Sequence, residues 1–333
     1  MKFLVKKYLT SSSSINIILN SSISKCTTST LLPTGSTAKY FHEGFTMSQK
    51  IIPFFDPVTS TVTYLLHADG EQACVVIDPV LDYDPKASAI STTQVERVIQ
   101  YINEHQLRLE LILETHAHAD HLSAAFYLKK KFGARIGIGA SIVQVQDAFK
   151  ALFNFGAEFN ADGAQFDHLY ADNDSFKIGS MEFIAHHVPG HTPADMAYQL
   201  DKAIFVGDTL FMPDVGTARC DFPGGSADVL YESIQRLLDL PDDVTLYMCH
   251  DYPPAGRSPA WQTSVGQQRE MNIHIRRGVS KQEFITMRQA RDRTLSMPTL
   301  IWPSLQINIR AGEMPQAENN GESYLKIPLS IPA

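Results

Sequence analysis

Beyond residue 50 the chain divides into short runs in which apolar and polar residues either alternate or recur at helical spacing. Thr61–Leu66 and Ala73–Ile77 read as paired strands around the turn Ala68-Asp69-Gly70. Pro79–Pro85 reads as a loop and Thr93–His105 as a helix. A strand over Leu109–Glu114 precedes a helical pattern over Asp120–Phe132 and a second over Ile142–Phe153. Gly156–Asp174, rich in Gly, Asn and Asp, reads as an exposed insertion. Strands are predicted at Met181–Val188, Met196–Leu200, Ala203–Val206 and Val244–Met248, with an amphipathic helix over Ala227–Leu238. The C-terminal part is predicted helical over 264–290, then extended and punctuated by proline. Strands interleaved with helices predict the α/β class.

Residues 1–46 break this pattern. They hold Lys2, Lys6, Lys7, Lys25 and Lys39, many Ser and Thr, no arginine, and no acid before Glu43. A basic, acid-poor, Ser-rich N-terminus is similar to an organelle transit peptide. The rival reading is a disordered extension, or an upstream start with Met47 opening the folded chain. The expected location is the mitochondrial matrix under the first reading and the cytoplasm under the second. Residues 47–333 are expected to form one folded domain, with 255–333 as its C-terminal extension.

With 333 residues, 44% of them hydrophobic, the chain can bury a large core. A formal charge of -8 argues against a nucleic-acid surface, which normally carries a basic face. Cys26, Cys74, Cys220 and Cys249 are scattered and form no C-x-x-C pair, which argues for a reducing compartment and against a disulfide scaffold or a thiolate zinc site. No apolar run approaches the ~20 residues that span a bilayer, so no membrane partner is expected.

The candidate chemistry lies in Thr115-His116-Ala117-His118-Ala119-Asp120-His121, where a strand hands over to a helical pattern. Three imidazoles and a carboxylate in one loop are costly to desolvate unless something binds them, and they are the ligands that zinc and Fe(II) prefer. His191 in Pro189-Gly190-His191-Thr192, Asp208 in Gly207-Asp208-Thr209 and His250 after Leu246–Met248 all sit where predicted strands end. Functional groups gather on loops held by a rigid scaffold. The glycines before His191 and Asp208 are expected to let backbone approach a bound ion. Five of the 12 histidines fall in this set.

On these residues the chain resembles the metallo-β-lactamase superfamily, whose pattern is H-x-H-x-D-H followed by a later His, Asp and His. The resemblance covers roughly residues 55 to 255 and implies an α/β fold of four layers, an αββα sandwich with metal at one edge between the sheets. In the binuclear zinc hydrolases of that superfamily, positions matching His116, His118 and His191 hold one ion. Those matching Asp120, His121 and His250 hold the other, and Asp208 bridges.

The chain is also similar to the persulfide dioxygenases of the ethylmalonic encephalopathy protein family. Ile77-Asp78-Pro79-Val80, Pro189-Gly190-His191-Thr192-Pro193, Gly207-Asp208-Thr209-Leu210, Arg219-Cys220-Asp221-Phe222 and His250-Asp251-Tyr252 carry that likeness. Glyoxalase II enzymes usually have His-Glu-Tyr at the last of these. The resemblance implies one Fe(II) per chain on His116, His191 and Asp208, with glutathione persulfide and O2 as the reactants. His118, Asp120, His121 and His250 then orient the ligands or bridge water, and Tyr252 donates a hydrogen bond to oxygen or sulfur or, alternatively, is a core phenol. Arg219 is a candidate to neutralise a glutathione carboxylate, its rival role being an ion pair with Asp221. Cys220 and Cys249 read as packed thiols. A homodimer is a further expectation of the family reading. The segment from His121 to His191, and Arg219 in Gly-Thr-Ala-Arg-Cys, resemble bacterial β-lactamase-like members and bear on the substrate.

The alternative is a glyoxalase II type thioesterase with two zinc ions, since all seven ligands are present. Of the other histidines, His42, His67, His105, His168 and His274 are expected at the surface or in loops, and one of His186 and His187 in the core. Arg269, Arg276 and Arg277 are expected on a solvated helix face that could steer an anionic thiol.

Overall fold

The computed structural model describes residues 48–329, so the N-terminal extension, with Cys26 and His42, lies outside the described residues. Two six-stranded sheets face each other. The first has the order β1 (Gln49–Asp56), β2 (Thr61–Ala68), β3 (Ala73–Ile77), β6 (Arg108–Leu113), β8 (Arg135–Gly139), β9 (His168–Tyr170). The second runs β10 (Ser175–Ile178), β11 (Met181–His187), β12 (Met196–Leu200), β13 (Ala203–Phe205), β14 (Thr245–Tyr247), β15 (Gln262–Ser264). A small third sheet joins β4 (Val80–Asp84) to β5 (Ala89–Ser91) and β7 (Leu122–Ser123).

Side-chain alternation explains the layering. In β2, Val62, Tyr64 and Leu66 point between the sheets, while Leu65 points outward. In β12 and β13, Tyr198, Leu200 and Phe205 point between the sheets, and Ala197 and Ile204 outward. Every second residue of a strand faces one side, so strands apolar throughout must be covered on both faces. Helices α1 (Thr93–Glu104), α2 (Ala125–Phe132), α3 (Ile142–Phe153) and α7 (Ile301–Asn308) cover the first sheet. Helices α4 (Ala227–Leu238), α5 (Val265–Met271) and α6 (Lys281–Asp292) cover the second. The four layers are those expected of an αββα sandwich.

Several local expectations change. Pro79–Pro85 is not a loop, because Val80 and Leu81 pair with Ser123 and Leu122. That pairing also delays the helix expected from Asp120 until Ala125. Gly156–Asp174 is not an exposed insertion: Phe159, Phe166 and Tyr170 are buried, and His168–Tyr170 extends the first sheet. The helix expected over 264–290 is two helices, each opening with a capping box, Ser264 with Gln267 and Ser280 with Glu283. The stretch expected to be extended contains α7, which tolerates Pro303 because it falls in the first turn, where the backbone N–H has no helical partner anyway.

His67 is buried in β2 rather than at the surface or in a loop, and His274 lies in a turn as expected but is buried. His186 and His187 are both half-buried, and neither is a core residue: His186 bonds Gln199 Oε1 at 2.7 Å and His187 the Pro193 carbonyl at 2.8 Å. No helix among the described residues is long and apolar enough to cross a membrane.

Candidate metal centre

Four chain turns converge at one end of the two sheets. The loop after β6 brings His116, His118, Asp120 and His121; those after β11, β13 and β14 bring His191, Asp208 and His250. His116, His191 and Asp208 form one group whose candidate ligand atoms all lie within 4.8 Å of one another. Asp208 Oδ2 stands 3.8 Å from His116 Nε2 and 3.7 Å from His191 Nε2. His118, Asp120, His121 and His250 form a second such group. His250 Nε2 lies 3.3 Å from Asp120 Oδ2 and 3.4 Å from Asp208 Oδ1. The two oxygens of Asp208 therefore face different halves of the centre.

Each imidazole is turned by what holds its other nitrogen. His191 Nδ1 donates to the Arg219 carbonyl at 2.7 Å, so Nε2 presents its lone pair to Asp208. His116 Nδ1 meets Thr115 Oγ1 at 3.0 Å. Thr115 is fixed in turn by Asp78, which accepts from its backbone N–H at 2.7 Å and its hydroxyl at 2.9 Å. His121 Nδ1 and His250 Nδ1 both lie 3.3 Å from Thr61 Oγ1. A hydroxyl oxygen can accept from both rings while its own proton passes to Thr59 Oγ1 at 2.8 Å; Thr59 then donates to Asp56. His118 is the exception, with Nε2 directed at Asp78 Oδ1 (3.0 Å) and Glu114 Oε2 (3.7 Å), leaving Nδ1 for the centre.

His116 Nε2, His118 Nδ1, His121 Nε2, His250 Nε2, Asp120 Oδ2 and Asp208 Oδ1 are buried and have no hydrogen-bond partner among the described residues. Buried polar groups are nearly always paired, and so many orphans facing one point call for a cation. Imidazole nitrogens and carboxylate oxygens fit Fe(II) and zinc alike; Cys249 also lies within 4.8 Å of the Asp208 and His250 ligand atoms, but burial holds its thiol protonated. In the ion-free protein, burial and then the neighbouring imidazoles hold His116 well below its ordinary pKa. His118 behaves oppositely: burial would lower it, but the Asp78 carboxylate outweighs that and lifts it to about 9. Burial beside Asp78 raises Glu114 to about 8.

The expected reason for the two glycines changes. A Cβ on Gly190 would lie 2.4 Å from the Leu230 backbone of α4, and one on Gly207 2.9 Å from Thr115. Their role is to let the ligand loops pack against protein. Both also have positive φ, 144° and 54°.

A cavity of about 740 Å³ opens from the centre, with Asp120, His191 and Asp208 at its floor and Phe211, Phe222 and Met297 in its walls. Tyr252 is 45% exposed and so is no core phenol. It lines this cavity, stacked on His250 with ring centroids 5.6 Å apart. Arg219 also lines it, but Asp221 engages Nε at 2.6 Å and Nη2 at 2.9 Å, and the Ser296 carbonyl accepts from Nη1. The ion-pair role is the one the geometry displays. Asp251 is buried and gripped by Arg257 at 2.7 and 2.8 Å. Cys220 and Cys249 are buried. Arg269, Arg276 and Arg277 border a separate cavity beside Tyr231, away from the metal centre.

Sequence reasoning missed the residues that hold the loop. Asn308 of α7 donates to the His118 and His121 carbonyls, both at 2.8 Å, and accepts from Ser123 N–H at 2.8 Å. Thr61, Thr115 and Glu114 were likewise unassigned. No local signal marks them, although the adjacent Ile77-Asp78-Pro79-Val80 segment hinted at Asp78.

Comparison with known proteins matches residues 56–250 to the family profile described as "Metallo-beta-lactamase superfamily". A probable metallo-hydrolase of Burkholderia pseudomallei is 51% identical over 286 residues, spanning 83% of this chain and 97% of the relative. Glyoxylase B2 of Dictyostelium discoideum is 47% identical, spanning 84% and 97%. The human mitochondrial persulfide dioxygenase ETHE1 is 30% identical over 261 residues, spanning 78% and 87%. Among solved structures, ETHE1 from Myxococcus xanthus superposes with a TM-score of 0.64 at 29% identity, covering 79% of this chain and all of that one (100%).

Proposed function

We propose that this chain, which belongs to the metallo-beta-lactamase superfamily, is an Fe(II)-dependent persulfide dioxygenase that converts glutathione persulfide, O2 and water to sulfite and glutathione. The observation that carries the reading is the face formed by His116, His191 and Asp208, two imidazoles and one carboxylate grouped within 4.8 Å and opening on a mainly apolar cavity. Such a face leaves coordination positions free for two reactants. The likeness to persulfide dioxygenases, extending over 78% of the chain, supports it.

His116, His191 and Asp208 would hold the iron. Its chemistry, when bound, is electron transfer between a soft sulfur anion and dioxygen. The protein contributes placement and exclusion. Arg219 and Thr115 keep the two ligand imidazoles turned inward. Phe211, Phe222 and Met297 keep bulk water from the floor of the cavity. Tyr252, at the cavity side of His250, has its phenol O–H available to bond the sulfur or oxygen end of the substrate. His121 and His250 position water through their shared tie to Thr61.

A second reading, a zinc thioesterase of glyoxalase II type, is favoured by a different observation. Asp208 Oδ1 turns to His250 at 3.4 Å, as a carboxylate shared by two cations would. The names of the metallo-hydrolase and glyoxylase relatives agree with it. Metal analysis of anaerobically purified protein, with O2 uptake on glutathione persulfide set against hydrolysis of S-lactoylglutathione, separates the two. One iron per chain and O2 uptake are expected. Two zinc ions, thioester cleavage and no O2 uptake would overturn the dioxygenase reading.

A further inference from the structure

The metal cavity has carboxylates at its floor and rim, Asp120, Asp208 and Asp214, so an anionic substrate needs a cation of its own. Three arginines line the cavity: Arg219, Arg288 and Arg291. Arg219 is neutralised by Asp221. Arg288 is buried, bonded to Asp292 through Nε at 2.8 Å and to the Thr217 carbonyl through Nη1 at 2.9 Å. Asp214 is itself taken by Arg257. Arg291, in the last turn of α6, is exposed, and among the described residues no hydrogen bond or ion pair engages its guanidinium. Among the described cavity arginines it alone keeps an uncompensated charge.

That charge is felt locally. The buried His274 imidazole accepts from the Thr217 N–H at 3.0 Å and is pushed down to about 4, first by burial and then by Arg288 and Arg291. A neutral His274 adds no charge of its own. The segment after α6, with Leu295, Met297 and Leu300, forms an apolar wall of the same cavity. An entering molecule thus meets metal ligands at one end, apolar wall along its length and a free guanidinium. The volume, about 740 Å³, lies in the usual range for small-molecule sites.

We propose that Arg291 receives a carboxylate of the glutathione moiety and so sets the preference of this cavity for anionic thiols, an inference that rests on a glutathione-borne substrate but not on which reaction follows. A guanidinium matches a carboxylate in two parallel hydrogen bonds, and at a partly wet site such a pair contributes modestly. The competing role for Arg291 is purely helical, a cation favoured at a helix C-terminus. That role predicts no effect on any ligand.

The test is calorimetric titration of wild type, Arg291→Met and Arg291→Lys with S-methylglutathione and with its diethyl ester. Wild type should prefer the free acid. Arg291→Met should lose about five- to tenfold in affinity for the acid and nothing for the ester, with Arg291→Lys recovering part of the loss. Equal affinities in wild type and Arg291→Met, an equal loss for acid and ester, or no binding of S-methylglutathione to wild type would each overturn the proposal. O2 uptake on glutathione persulfide is read in parallel. Its absence, with the binding pattern intact, removes the dioxygenase reading and leaves Arg291 in place.

Discussion

The two halves of the metal centre are supported differently. In the first, His191 and His116 each have a separate partner, the Arg219 carbonyl at 2.7 Å and the Thr115 hydroxyl at 3.0 Å, and Thr115 is itself held twice by Asp78. In the second, His121 and His250 share one Thr61 hydroxyl at the longer distance of 3.3 Å each, His121 Nδ1 also lying 3.6 Å from Asp120 Oδ1, and His118 keeps Nδ1 for the centre while Nε2 faces two carboxylates. Partners behind a ligand fix its tautomer and orientation, and losing one typically costs ~10–100-fold in metal affinity. The first half is the better prepared for an ion. A ligand set that supports two metals in composition can still favour one in preorganisation, which is how seven shared residues could serve either of two chemistries.

The largest effect should come from His191→Ala. This variant is expected to lose iron altogether while its far-ultraviolet circular dichroism stays that of wild type, because His191 lies in a loop outside the sheets. His121→Ala should keep its iron. Metal analysis of both variants decides the point; full iron in His191→Ala, or equal loss in both, would erase the distinction between the halves.

Proton linkage sharpens it next. In the ion-free protein His116 is held well below its usual range, so it is already neutral near pH 7 and a cation entering the first half displaces no proton from it. His118 is lifted to about 9 and must give up the proton on Nδ1 when a cation enters the second half. A raised imidazole pKa means the protonated form persists until pH reaches that value. Zinc affinity of the second half, isolated in His191→Ala, should therefore climb roughly tenfold per pH unit from pH 7 and level off above about 9. The first half, isolated in His121→Ala, displaces no proton from His116 and should show the shallower profile over the same range. Competitive zinc titration at several pH values reads both slopes, and matching slopes would contradict the assignment.

These differences were not readable from the chain. The ligands were, since histidines and aspartates crowded at strand ends have few other uses, and long periodic elements such as Ile142–Phe153, Met196–Leu200 and Ala227–Leu238 appear with the expected bounds. The short strands β4 and β7 were missed because their pairing depends on tertiary contact across about 40 residues, with no alternation long enough to register locally. The supports of the centre escaped for a related reason. Thr61 meets His250 across 189 positions, and Asn308 meets His118 across 190. Thr and Asn are common in loops and helix ends, so neither type announces a metal-site role. What a residue can bind is written in its side chain, whereas what it holds in place depends on the completed fold.

The smallest effect tests the shared hydroxyl. Thr61→Val keeps the shape of the side chain, and Thr61 is fully buried, so the hydroxyl is removed without opening the position to water. The substitution removes the hydroxyl that His121 Nδ1 and His250 Nδ1 share, leaving His121 Nδ1 beside Asp120 Oδ1 at 3.6 Å. The His250 ring is then free to rotate or to change tautomer while His121 keeps the Asp120 tie alone, and zinc affinity of the second half should fall about tenfold, the lower end of the range for outer partners. Thr61→Ser restores the oxygen and should restore the affinity. Iron in the first half should stay put, because His116 and His191 do not touch Thr61 and keep their own partners. Iron loss from Thr61→Val as severe as the zinc loss would mean that the halves are one rigid unit, and that Asp208, facing both, transmits any loosening across the centre.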